Sequence, residues 1–87
     1  MVRELLIVNK RGLHARAAAR FVKVAEQFEA EIEVAKDGET VSGESILGLM
    51  MLSASPGTTI SVRANGPEAS DALDALSKLV KNRFDED

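Results

Sequence analysis

The chain has 87 residues, 45% of them hydrophobic, carries a formal net charge of −3 at pH 7 and contains no cysteine. That is material for one small domain, expected to span residues 1–87, with a thin core and a surface site rather than an enclosed one, and it excludes disulfides and thiolate metal sites. A single histidine speaks against zinc, and the acidic balance with 3% aromatic residues speaks against a nucleic-acid partner.

No signal-like start and no apolar run of about 18 residues is visible, so a cytoplasmic protein without membrane insertion is expected. Leu5, Leu6, Ile7 and Val8 form an unbroken apolar run read as a strand over Glu4–Val8; its lack of alternation leaves open a strand covered on both faces. Asn9–Gly12 is the loop that ends it. From Ala15 to about Phe28, the residues Ala18, Phe21, Val22, Ala25 and Phe28 recur at helical spacing, with Arg16, Arg20, Lys23 and Gln27 on a separate, mostly basic stripe. Such a stripe is ordinarily a solvated face, but here it starts beside His14 and suits an acidic partner surface.

Glu31–Val34 alternates as a second strand, Asp37-Gly38 is a hairpin turn, and Glu39–Ser42 returns as a third strand. Ser45 is placed to cap Ile46–Leu52, an apolar run that periodicity alone assigns to neither helix nor strand. After the Pro56-Gly57 turn, Ile60, Val62 and Ala64 alternate as a fourth strand. Asn65–Glu68 opens a last helix with Pro67 near its first position, a buried face of Ala69, Ala72, Leu73, Leu76, Leu79 and Val80, and Lys78 and Lys81 at its negative end. Asp85-Glu86-Asp87 is read as a frayed acidic tail.

Chemistry concentrates in Arg11–Arg16, where the first strand hands over to the first helix. The leading N–H groups of a helix lack intrahelical partners and carry the positive end of its dipole, so this position favours a bound anion, phosphate above all. The imidazole of His14 is a nucleophile at that end, the planar donor fork of Arg16 suits phosphate oxygens, and Gly12 permits positive φ just before them. A surface histidine beside a solvated arginine is the plainer alternative. No Walker-type loop or dense carboxylate cluster is visible, so nucleotide chemistry of its own is not expected.

Gly12-Leu13-His14-Ala15-Arg16-Ala17-Ala18 resembles the active-site signature of the HPr family, the histidine-containing phosphocarriers of bacterial phosphotransferase systems. Glu44-Ser45-Ile46-Leu47-Gly48 resembles that family's second, serine-centred segment, and the match in length and element order covers essentially the whole chain. Ala17 stands where the family usually has proline, which bears on the stiffness of the first turn more than on chemistry. The resemblance implies an α+β fold: an open-faced two-layer β-sandwich of order βαββαβα, its four-stranded antiparallel sheet carrying three helices on one face. It also assigns residues 46–52 to a helix. It further implies that His14 takes a phosphoryl group at Nδ1 from the phosphohistidine of enzyme I and passes it to an EIIA-type acceptor, in sugar uptake or nitrogen-related regulation. His14 is then a covalent carrier rather than a stand-alone catalyst, with no cofactor and no metal.

Arg16 and the backbone of Ala15, Arg16 and Ala17 are the expected phosphate ligands. Ser45 is the candidate for regulatory phosphorylation by an HPr kinase/phosphorylase, with helix capping as its alternative role and acidic Glu44 as an unfavourable neighbour. If Ile46, Leu49 and Leu52 point inward, then Leu47, Met50 and Met51 stand outside, and with Arg20 and Lys23 they form the expected docking surface. Phe84–Asp87 and Leu49–Leu52 are similar to the nitrogen-related NPr branch. A monomer is expected. Two other readings compete: a regulatory binding module switched by phosphorylation, and a small acylphosphatase-type enzyme, for which the matching Gly-rich anion loop and catalytic Asn are missing.

Overall fold

Ile32 and Val34 are buried on one face of a strand whose other face exposes Glu31 and Glu33, and this alternation sets the architecture. The computed structural model describes residues 1–86. Its strands are β1 (Val2–Leu6), β2 (Glu31–Lys36), β3 (Glu39–Ser42) and β4 (Thr59–Asn65), and its helices are α1 (Ala15–Ala25), α2 (Ile46–Met51) and α3 (Ala69–Lys81). All pairings are antiparallel, in the order β1-β4-β2-β3. The register sets Leu5 opposite Ile60, Ile32 opposite Ala64, and Val34 opposite both Val62 and Val41. Those side chains meet Ala17, Ala18, Phe21, Leu49, Leu73 and Leu76 in one core between the sheet and the helices, so the fold is an open-faced two-layer sandwich in the expected order βαββαβα. No helix among the described residues is long and apolar enough to cross a membrane.

Some expectations move. The first strand is covered on one face only: Leu5 and Ile7 are buried, whereas Leu6 and Val8 are exposed. It begins at Val2 and its ladder ends at Leu6, although Ile7 still exchanges backbone hydrogen bonds with Gly57 and Thr58. α1 stops at Ala25 because Gln27 and Phe28 reach back only three residues, to the carbonyls of Val24 and Ala25, and tighten the chain out of the helix. Pro67 precedes the last helix instead of starting it. Glu68 takes the N-cap position, yet its carboxylate accepts the backbone N–H of Glu29 at 2.7 Å rather than capping α3.

The largest correction concerns the C-terminal tail. Asp85 and Glu86 do not fray, and Asp87 lies outside the described residues. Arg83–Asp85 forms a short left-handed turn, closed by hydrogen bonds from the Asp85 and Glu86 N–H groups to the Asn82 and Arg83 carbonyls, in which Phe84 is fully buried in the core. That anchor keeps the tail against the body of the protein.

Candidate functional site

Gly12 shapes the approach to His14. Its φ of +64° is a conformation in which a side chain is strained, and a Cβ there would come within 2.3 Å of the Ala54 carbonyl oxygen. The same carbonyl accepts the N–H of Leu13 at 2.9 Å, and Leu13 is buried. The loop is thereby fixed on both sides of the turn, and His14 emerges as the N-cap of α1 with extended backbone. Its carbonyl takes the first helical hydrogen bond, from Ala18 N–H at 2.8 Å, leaving the amides of Ala15, Arg16 and Ala17 ahead of the ladder. His14 Nδ1 lies over that end and accepts from the Arg16 N–H at 3.3 Å on the exposed side of the ring. The Arg16 side chain is exposed beside it. Arg11, Ser53, Ala54 and Ser55 complete the rim of a shallow, open hollow around the histidine.

The other ring nitrogen faces inward. Nε2 meets a carboxylate oxygen of Glu86, seventy-two residues along the chain, and both side chains are mostly shielded from solvent. Asn9, buried at the end of the β1 segment, donates from one amide nitrogen to the Gly12 carbonyl at 2.7 Å and to the second Glu86 oxygen at 2.8 Å. Burial raises the pKa of the Glu86 carboxyl, but the hydrogen bonds from Asn9 and His14, with the charges of His14 and Arg11, outweigh it and hold the group below its ordinary value. Glu86 is brought there by Arg83, Phe84 and Asp85, three successive left-handed residues, and by Arg20, whose guanidinium donates to the Phe84 carbonyl. Asn9 and Glu86 were missed in the sequence. A lone Asn three residues before Gly12 is also an ordinary loop residue, and a terminal acid shows nothing of the imidazole it will meet.

A family model described as "PTS HPr component phosphorylation site" matches residues 1–82. The chain belongs to the PTS HPr family. Among curated HPr relatives, the phosphocarrier protein HPr of Pseudomonas putida is 48% identical over 97% of this chain and 94% of its own length. The phosphocarrier protein NPr of Shewanella violacea is 44% identical over 97% of this chain and 92% of its own. The crystal structure of HPr-C-His from Thermoanaerobacter tengcongensis superposes with a TM-score of 0.94 at 39% identity, covering 100% of this chain and 98% of that one. An HPr dimer from the same organism also matches, at a TM-score of 0.79 and 41% identity over 94% of each chain. HPr relatives thus include dimers, and family membership does not support the expectation of a monomer.

Within this HPr fold the remaining nominated residues separate. Ser45 caps α2, its Oγ accepting the Gly48 N–H at 3.0 Å, while Glu44 is exposed next to it. Leu47 and Met51 are 68% and 66% exposed and Met50 is 39% exposed, whereas Leu49 and Leu52 are buried. Ile46 does not point inward as its spacing suggested; it is 42% exposed. Lys23 is exposed on α1, but Arg20 is half-buried and engaged with the tail, so the basic stripe is not one uniform solvated face.

Proposed function

We propose that the chain is a phosphoryl relay in which His14 receives a phosphoryl group from the phosphohistidine of enzyme I and delivers it to a histidine of an EIIA-type acceptor. The observation that carries this reading is the position of His14 Nδ1 over the open amide end of α1, on the exposed side of the ring. A phosphoryl group there would meet the backbone of Ala15, Arg16 and Ala17 together with the Arg16 guanidinium, which is the donor arrangement an in-line transfer needs. Docking of both partners is assigned to Leu47, Met50 and Met51 on α2 and to Lys23 and Arg20 on α1. The test is incubation with enzyme I and phosphoenolpyruvate followed by mapping of acid-labile phosphate. His14→Ala should stay folded and take up none, and labelling of that variant would refute the assignment.

The nitrogen-regulatory branch is the reading we favour for the pathway, supported by the similarity to an NPr and by the sequence of the tail. A kinetic preference for sugar-type enzyme I and EIIA partners would reverse it. Ser45 is proposed as a regulatory phosphorylation site beyond its capping role. If purified HPr kinase modifies a standard HPr but leaves Ser45 untouched, capping is its whole function. A regulatory binding module whose partner contacts are switched by phosphorylation is the second reading, favoured by the exposed apolar face of α2.

A further inference from the structure

The two ring nitrogens of His14 have different partners: Nδ1 faces the helix start and solvent, and Nε2 faces the Glu86 carboxylate. An ionised carboxylate only accepts hydrogen bonds, so the ring nitrogen against it must carry the proton. We propose that Glu86, held by Asn9, is a positioning residue that keeps the His14 proton on Nε2 and thereby keeps the lone pair on Nδ1. The proposal deepens the relay reading and rests on His14 being its carrier. Three features support a built arrangement. The chain adopts three left-handed residues in a row to return Glu86 to the ring, at φ of 56°, 55° and 60°, a conformation unfavourable to residues with side chains. Phe84, fully buried, pins that turn to the core, and Arg20 holds its carbonyl.

The third feature is the Asn9 amide. Its nitrogen serves Gly12 and Glu86, while its Oδ1 is buried without a hydrogen-bond partner. A buried orphan oxygen is unfavourable, so the amide is set by what its nitrogen donates to. Reversing it would aim that oxygen at two acceptors. Asn9 therefore demands an acceptor at the Glu86 oxygen it touches, and this locks which way a substituted side chain can sit.

In the transfer step the Nδ1 lone pair of His14 attacks phosphorus. The new P–N bond forms as the P–N bond of the donor phosphohistidine breaks, and that bonding pair returns to the donor's ring nitrogen. No proton has to move. The His14 ring keeps its proton on Nε2 and becomes positive, and the Glu86 carboxylate opposite offsets the charge. Onward transfer reverses each of these changes.

The decisive variant is Glu86→Gln. Because Asn9 donates, the glutamine must present its oxygen to Asn9 and its NH₂ to Nε2, which would then accept and shift the ring proton to Nδ1. ¹⁵N NMR of the full-length chain at about pH 8.5, roughly two units above an ordinary histidine, should show the Nε2–H tautomer in the parent. It should show a shift toward Nδ1–H in Glu86→Gln, made against the Arg16 N–H that donates to Nδ1, and a smaller shift in Glu86→Ala, where that N–H alone still favours the Nε2–H tautomer. With saturating phospho-enzyme I, transfer should slow about tenfold or more in Glu86→Gln and less in Glu86→Ala, with the half-saturating donor concentration unchanged. A contact that merely stabilised the tail would predict the reverse ranking, since Gln preserves more of it than Ala. An Nδ1–H tautomer in the parent, or unchanged tautomers in both variants, overturns the proposal. A parent that phospho-enzyme I cannot label overturns the relay reading instead, and the NMR result still judges the tautomer.

Discussion

At Gly12 a left-handed backbone and a close approach to Ala54 coincide, so no other residue meets both demands. Gly12→Ala should destabilise the protein by about 2 kcal/mol or more, from strain and overpacking together, read as a lower urea midpoint with an unchanged slope. Arg16 is a different case, because its exposed side chain supports nothing in the core. Arg16→Ala should slow phosphoryl transfer more than it weakens docking, since its charge matters most while the phosphoryl group is moving; equal losses in rate and affinity would make it a docking residue. Glu86 adds a pH dependence whose sign follows from its lowered pKa. Its carboxylate stabilises the fold fully above the ordinary value of 4.5 and loses that contribution as pH falls through the lower folded value, when the proton that binds breaks the contacts with His14 and Asn9. The stability difference between the parent and Glu86→Gln, measured by urea unfolding, should therefore be larger at pH 7 than at about pH 3.

The element that spacing described least well is α2. With six residues and no charged or strongly polar side chain, it has no polar face from which an orientation could be read. Leu49 and Leu52 turn inward, but Ile46, at the start of the helix, is left 42% exposed. Gly48 is explained by contact: a Cβ there would press on Ser45 Oγ and on Val41, so the residue lets α2 sit close to its own cap and to β3. Leu47 and Met51 are mostly exposed, and so can change without disturbing the core. Leu47→Glu should weaken binding of both enzyme I and the acceptor while changing stability by about 0.5 kcal/mol or less, a pair of outcomes that calorimetric titration and urea unfolding separate. Ser45→Ala, by contrast, should cost about 1 kcal/mol as a lost helix cap, whether or not the serine is ever phosphorylated.

Across the whole molecule the tail is where local reading and tertiary structure part. A chain ended after Asn82 retains every strand and all three helices but loses the fully buried Phe84. It should fold with the same far-UV spectrum and unfold about 3 kcal/mol more easily, and a truncated chain of undiminished stability would show that Phe84 fills no essential space. The hairpin Glu31–Ser42, the two long helices and the position of His14 at a helix start were legible because their signals are local: a period of two, a period near three and a half, a turn pair, a glycine before a cap. Strand ends shifted by two residues at β1 because an apolar run looks the same whether its second face is covered or bare, and only packing leaves Leu6 and Val8 outside. The order β1-β4-β2-β3 and the meeting of Asn9, His14 and Glu86 have no local signal at all. Sequence by itself determined which segments are amphipathic and which residue could act as the nucleophile, since both follow from side-chain chemistry and spacing. Tertiary structure alone decided what stands behind that imidazole, because a contact across seventy-two residues exists only once the buried Phe84 has folded the tail back over the start of α1.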